Sequence, residues 1–410
     1  MAEGDHPTLP AGDGSRQPRG SRIPRGVLLL GWVSLLADVS SEMAYPLVPL
    51  LLTGPLGAPA VLVGLIEGIA ELAVAAMSVA AGRASDRHGR VWFIRAGYLL
   101  PAIGKAVVAL AGSWWVLLIG RVIDRSGKGL RTSTRDALLV DLVDPSIRGR
   151  AFGLHRAMDT AGAVLGVLAA AGFLFAYRNE GTAESSLRTA LLLAAAAGLA
   201  AFLLTLLLRD AARLPRQTRA TAEPLPRSFW RSLIPIALFG LANSSDAFIL
   251  LRVATFGFDP WLVAVAYATY QLSAAIGALP AGAISDRLGR RPVIGVGWIL
   301  YALAYAGLAL ASEAWMLWPI LLLYGLAIAC TDGAAKALVA DRAPESARGR
   351  ALGILQATIG ITTLAGNLVA GAIWDAKGPA WAFGVGAIFA LVACAALLFT
   401  WGSTGSARRH

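Results

Sequence analysis

The stretch Gly120-Arg121-Val122-Ile123-Asp124-Arg125-Ser126-Gly127-Lys128-Gly129-Leu130-Arg131-Thr132-Ser133-Thr134-Arg135-Asp136 sits inside a longer run, Trp114–Leu142, that is otherwise largely apolar. Such a run is long enough to cross a bilayer, which takes about 20 residues. Each Arg, Lys or Asp at mid-bilayer costs roughly 2.5–3.5 kcal/mol, so charges do not accumulate there as decoration. Arg121, Asp124, Lys128, Arg131 and Arg135 are spaced 3, 4, 3 and 4 apart. On a helix they fall on one stripe about 80° wide. The helix must turn that stripe toward a watery cavity or toward partners of opposite sign, and its other faces toward apolar neighbours.

The rest of the chain agrees. It has 410 residues, 57% of them hydrophobic and 15% charged. Its mean hydropathy is +0.64. A soluble protein that apolar has nowhere to put its surface. Hydropathy divides the chain into about twelve spans, near 26–52, 58–81, 92–112, 114–142, 150–176, 187–208, 230–252, 259–281, 292–311, 314–340, 350–373 and 380–402. The expected fold is an all-α membrane protein of twelve transmembrane helices.

The net charge of +11 has a topological reading. Arg16, Arg19, Arg22 and Arg25 precede the first span, and Arg83, Arg87 and Arg90 follow the second. Arg148 and Arg150 follow the fourth, and Arg209, Arg213, Arg216, Arg219 and Arg227 fill the centre. Arg287, Arg290 and Arg291 follow the eighth, Arg342, Arg348 and Arg350 the tenth, and Arg408 and Arg409 the last. The alternate loops are nearly uncharged. This positive-inside pattern places both termini in the cytoplasm and the protein in a bacterial plasma (inner) membrane, and it removes the need for a nucleic-acid partner. Cys330 and Cys394 both lie within spans, so no disulfide framework is implied.

The two halves repeat. Gly82-Arg83-Ala84-Ser85-Asp86-Arg87-His88-Gly89-Arg90 returns 200 residues later as Gly282-Ala283-Ile284-Ser285-Asp286-Arg287-Leu288-Gly289-Arg290. Asp141 with Arg148-Gly149-Arg150 returns at the same offset as Asp341 with Arg348-Gly349-Arg350, and Ser40-Ser41-Glu42 returns 204 residues later as Ser244-Ser245-Asp246. The expected organisation is a disordered cytoplasmic segment 1–25, a six-helix bundle 26–209, a Pro- and Arg-rich linker 210–228, a second bundle 229–402 and a short tail 403–410. Both bundles start on the same side, so they are parallel repeats about an axis along the membrane normal.

The paired Gly-x-x-x-Asp-Arg-x-Gly-Arg loops resemble the signature of the major facilitator superfamily, and the resemblance covers residues 26–402. Ser40-Ser41-Glu42-Met43-Ala44-Tyr45-Pro46 and Arg135-Asp136-Ala137-Leu138 look like a poorly characterised prokaryotic branch of it. The resemblance implies alternating access, with a substrate site between the halves near the midplane. It also implies a gating latch made by Asp86 and Arg90 against Asp141, and by Asp286 and Arg290 against Asp341. Arg121 matches the Arg that opens the span-4 motif linked in the family to proton coupling. Asp38 and Glu42 are candidates because span 1 lines the cavity in the family.

The residues themselves add further candidates. Asp38 and Glu42 lie four apart, as do Glu67 and Glu71, each pair on one helical face. Carboxylates at membrane depth either carry protons or neutralise cations. Lys128, Arg131 and Arg135 are candidate contacts for a charged substrate. Asp246, Tyr270, Gln271, Asp332 and Lys336 are candidates on the other side of the cavity, and Asp332 and Lys336 are spaced to pair. His155 and Asp159 share a face at the start of span 5, where Gly162 and Gly166 provide a small surface for close helix contact. No phosphate-binding Gly-x-x-x-x-Gly-Lys-Ser/Thr loop and no catalytic set of a membrane enzyme is present. The expected function is secondary active transport of a small polar or charged organic solute, proton-coupled, by a monomer with no metal or cofactor. The alternative is a multidrug/proton antiporter.

Overall fold

The computed structural model describes residues 23–143, 147–208, 223–344 and 347–402. Most of the segments expected to be the N-terminal tail, the linker and the C-terminal tail lie outside them. The first half contains α1 (Arg25–Ala44), α2 (Leu47–Thr53), α3 (Ala60–His88), α4 (Arg90–Ala109), α5 (Trp114–Leu142), α6 (Arg148–Ala176) and α7 (Ala183–Thr205). The second contains α8 (Arg227–Ala242), α9 (Asp246–Ala254), α10 (Pro260–Leu288), α11 (Arg290–Leu310), α12 (Leu317–Ala340), α13 (Arg348–Lys377) and α14 (Pro379–Gly402). Eleven spans, two of them broken helix pairs, are long and apolar enough to cross a membrane. The twelfth is α5, whose 29 residues give it the length but whose charges lower its apolarity. The protein is a multi-pass membrane protein built as two six-helix repeats.

Equivalent helices pack on equivalent neighbours. In the first half α5 lies between α4 and α3, α7 packs on α4 and α1, and α6 packs on α1. In the second α12 lies between α11 and α10, α14 packs on α11 and α8, and α13 packs on α8. The signature loops also match in conformation: Gly89 and Gly289 both have positive φ, 94° and 93°. A side chain there would strain the tight turn joining one span to the next, which is why glycine recurs at the same place.

Two spans read as continuous from hydropathy are broken. Span 1 changes helix at Tyr45-Pro46, since Pro46 has no N–H to give to the preceding turn. Span 7 breaks at Asn243–Ser245 without any proline. There the freed polar groups find side-chain partners, as a lipid environment demands. Asn367 Oδ1 accepts from the Ser245 N–H at 2.7 Å, Tyr301 donates to the Ala242 carbonyl at 3.1 Å, and the Ser244 and Tyr305 hydroxyls lie 2.9 Å apart. The aromatic and amide partners come from α11 and α13, which hydropathy alone does not bring to α8.

Gly162 and Gly166 meet the expectation of close contact, and their partner is α1. A Cβ on Gly162 would stand 2.3 Å from the Leu35 carbonyl oxygen, and one on Gly166 would stand 2.5 Å from that of Val39. The halves themselves meet mainly through α3 with α13 and α6 with α10. Here too a glycine permits the approach: Gly64 lies against the Asn367 backbone.

With twelve spans, the start of α1 and the end of α14 fall on one face, here termed the terminal face. The bonds joining the halves gather nearer the opposite face. Asp375, at the end of α13, accepts from the N–H groups of Ala60 and Val61, each at 2.8 Å. These are among the first N–H groups of α3, which have no partner within their own helix. Phe175 of α6 meets Trp261 of α10 edge-on, with ring centroids 5.2 Å apart. On the terminal side Lys128, Arg156, Asp332, Lys336 and Gln356 are exposed.

Candidate functional site

The charged stripe of α5 meets four other helices. Glu67 of α3 grips Arg121 with both oxygens: Arg121 Nη2 donates at 2.6 and 2.8 Å, and Nε at 3.1 Å. Arg121 Nη1 donates to Asp124 at 3.1 Å, and Asp124 accepts from Lys105 Nζ of α4 at 2.9 Å. All four residues are buried. Arg125 adds looser ion pairs, 3.9 Å to Glu67 and 3.7 Å to Glu71. The chain Lys105–Asp124–Arg121–Glu67–Arg125–Glu71 thus alternates in sign. Burying any one of these charges without its partner would cost several kcal/mol, whereas the alternation leaves none isolated.

The next two turns toward the terminal face are paired as well. Arg131 lies 3.9 Å from Asp38 of α1 and stacks over the Tyr98 ring, 4.8 Å from its centroid. Arg135 donates to Ser34 Oγ at 2.8 Å and to Asp136 at 3.2 Å, and it stands 3.8 Å from Asp159 of α6. Asp159 is shared with His155, at 3.6 Å from Nδ1. His155 and Asp159, which share a face of α6, are thus brought within 3.6 Å, with Arg135 as a third member.

Among the candidates for substrate contact, Arg131 and Arg135 are engaged, and Lys128 differs. Its residue is exposed, and its ammonium has no hydrogen bond or ion pair among the described residues. In the second half the chemistry changes from guanidinium to phenol. Tyr270 and Tyr324 donate to the two oxygens of Asp246, at 2.9 and 2.6 Å. Tyr267 donates to Glu42 across the boundary between halves, and Gln271 Nε2 donates to Tyr267 at 3.3 Å. Tyr45 closes the group: its hydroxyl lies 3.2 Å from Ser245 Oγ, and its ring 5.3 Å from that of Tyr267. Neither Glu42 nor Asp246 has a cation within 4 Å among the described residues. Asp332 and Lys336 form no direct ion pair with each other, although Asp332 lies in the field of Lys336 and of Arg156 from the first half.

The loop residues fall at the helix ends on the terminal face. Arg90 Nη1 stands 2.8 Å from Asp141, and its repeat equivalent Arg290 bonds Asp286 and stands 3.4 Å from Asp341. The side chain of Asp86 lies outside the described residues. Asp375, the tyrosines Tyr301 and Tyr305, and Asn367 as a side-chain acceptor for a backbone N–H are roles that sequence reasoning did not assign. Asp375 reads along the chain as an ordinary loop charge beside Lys377, and only the packing of α13 on α3 reveals its partners.

The chain's sequence and fold have known relatives. The family model described as Major Facilitator Superfamily matches residues 30–268 and 236–409. The uncharacterised MFS-type transporter MJ1317 of Methanocaldococcus jannaschii is 32% identical over 390 residues, 92% of this chain and 95% of that one. The multidrug resistance protein MdtH of Yersinia enterocolitica is 34% identical over 135 residues only, 33% of this chain and 34% of its own. The crystal structure of a bacterial homologue of the human lysosomal transporter Spinster, inward-facing and unoccupied, superposes with a TM-score of 0.76 at 18% identity, covering 94% of this chain and 98% of that one. Two packed six-helix repeats, their paired signature loops and a family match along nearly the whole length lead to one conclusion: the chain belongs to the major facilitator superfamily.

Proposed function

We propose that the protein is a proton-coupled secondary transporter that moves a small polar or charged organic solute by alternating access. The positive-inside pattern supports a cytoplasmic terminal face in a bacterial plasma membrane, and the working unit in this reading is the monomer. The observation that carries the reading is the contrast between the two sets of acids. Glu67, Asp124, Asp38 and Asp159 each have an Arg or Lys partner. Among the described residues, the partners of Asp246 and of its repeat equivalent Glu42 are phenols. A carboxylate at membrane depth that lacks a cation is neutral only when it carries a proton. The Glu42–Tyr267 bond also spans the two halves, so moving the halves apart changes what Glu42 meets. Proton loading and domain motion are thereby linked in one contact. Glu67, Glu71 and Arg121 act in this reading as the fixed network that holds α3, α4 and α5 together. Arg90, Asp141, Asp286, Arg290 and Asp341 act as latches at helix ends, with Asp86 completing the first.

The partial likeness to MdtH favours a second reading, multidrug export in exchange for protons. The test is reconstitution into liposomes enclosing a pH-sensitive dye. Uptake or release of an organic solute that moves protons, and that stops in Asp246→Asn, supports coupling. Solute flux with no proton movement overturns it. Proton movement driven only by lipophilic cations makes the protein a drug exporter.

A further inference from the structure

We infer that the transported solute is an organic anion and that Lys128 is the residue that holds its carboxylate or phosphate group. The inference rests on the transporter reading above and names the substrate class of that same cavity.

The local fold explains why this side chain alone escapes. Helix α5 is wedged between α4 and α3. A Cβ at Gly127 would stand 2.3 Å from Pro101 Cδ of α4, and one at Gly129 would stand 2.6 Å from the Val74 carbonyl of α3. Both neighbours of Lys128 are therefore glycines pressed into adjacent helices, and Lys128 points toward neither. Its charged neighbours place it on the polar side of α5, toward the other helices of the bundle and not the lipid. Arg125, Glu71, Glu42 and Arg131 act on it electrostatically, but none stands within ion-pair distance. Three of these four are already committed: Arg125 to Glu71 and Glu67, and Arg131 to Asp38. The fourth, Glu42, is held by Tyr267 of the opposite half.

A lone ammonium on a membrane-spanning helix is costly and stands by default for a functional site with a partner to be named. Every other cation of the α5 stripe has that partner within the protein. For Lys128 the missing partner is an anion from outside, and an exposed ammonium with three rotatable donors accepts carboxylate or phosphate without demanding a planar fork. With a proton on Glu42 and an anion on Lys128, the centre of the cavity holds no uncompensated charge, which is the condition for the halves to close over it.

The experiment is a thermal-unfolding binding titration of the purified full-length protein in detergent. The probes are benzoate and citrate as carboxylates, glucose 6-phosphate as a phosphate, glucose as its neutral counterpart and tetraphenylphosphonium as a lipophilic cation. One or more of the anions should stabilise the wild type, with glucose silent. Lys128→Gln should keep the ligand-free melting temperature, since no protein partner is lost, and bind that anion about tenfold or more weakly, as loss of a charged hydrogen bond predicts. Lys128→Arg, which keeps the charge, should retain binding. Citrate or benzoate alone identifies the carboxylate form, and glucose 6-phosphate alone identifies the phosphate form. Failure of every anion to stabilise the wild type, or equal binding by Lys128→Gln, overturns the inference. Stabilisation by tetraphenylphosphonium alone also overturns it, while leaving the transport reading standing. Anion binding through Lys128 without proton movement in liposomes sinks the coupling and keeps the site.

Discussion

Glu67 and Arg121 face each other in a fork, with both carboxylate oxygens within 2.8 Å of the same guanidinium nitrogen and both residues buried. This pair joins α3 to α5 and anchors the alternating chain that continues through Asp124 to Lys105. Bidentate charge-assisted bonds of this kind fix geometry as well as charge.

Removing one member should therefore be costly. Glu67→Gln leaves Arg121 buried with Asp124 as its remaining acid, which Lys105 already shares. Breaking a buried pair destabilises by about 3–5 kcal/mol. The double variant Glu67→Gln, Arg121→Gln should recover much of that loss. Thermal unfolding of the purified proteins in detergent checks both, and a mild single variant would mean the network is dispensable for folding.

Asp246 should behave differently. Asp246→Asn keeps the side-chain shape and an acceptor for Tyr270 or Tyr324 but removes the exchangeable charge. The folded protein should be retained, while solute accumulation driven by a pH gradient is lost and solute exchange at equal concentrations persists. Comparing the two assays in liposomes decides the matter: loss of both points to substrate contact instead.

The Asp375 clasp makes a conformational prediction. Asp375→Ala frees the Ala60 and Val61 N–H groups and removes two bonds between the halves. Hydrogen bonds to charged groups contribute about 1.5–3 kcal/mol each, so the closed arrangement of this face should become markedly less populated. Ala247, buried against the first half in α9, reports it. With Cys330 and Cys394 replaced by serine, a cysteine at position 247 should react with a water-soluble maleimide several-fold faster in the Asp375→Ala background. Unchanged labelling would show that the clasp does not hold this face closed.

Helix contact is tested at Gly166. A Cβ there would lie 2.5 Å from the Val39 carbonyl, a backbone atom that cannot rotate away. Gly166→Val should push α6 off α1 and cost about 1–3 kcal/mol or more through overpacking. Gly149→Ala, where nothing stands within 4 Å, should be tolerated. Yield and melting temperature of the two variants measure the difference.

Much of the fold was legible along the chain because its causes are local or periodic. Apolar length marks a span wherever it occurs, and the recurring signature loops mark where one span turns into the next. The recurrence of Gly89 as Gly289 and Glu42 as Asp246 exposes the duplication without any coordinates. The stripe on α5 announced a charged interior, since spacing alone puts Arg121, Asp124, Lys128, Arg131 and Arg135 on one side of a helix. Which of those charges is satisfied was not legible. The first half's interior candidates balance, Asp38, Glu42, Glu67, Glu71, Asp124, Asp136 and Asp159 against Lys105, Arg121, Arg125, Lys128, Arg131, Arg135 and Arg156, and a count does not distinguish a paired cation from a free one. Pairing depends on distances set by packing between helices distant in sequence: Glu67 reaches Arg121, Asp38 reaches Arg131, and no acid among the described residues reaches Lys128. The break at Asn243–Ser245 was hidden for the same reason, since its stability comes from Tyr301, Tyr305 and Asn367 on other helices. Composition and periodicity determined that this chain is a duplicated membrane bundle with a charged interior. Only the tertiary structure decided which charges neutralise one another, which acids are left to phenols and which lysine stands open, because electrostatic and hydrogen-bond energies fall off over a few ångströms and sequence separation says nothing about those distances.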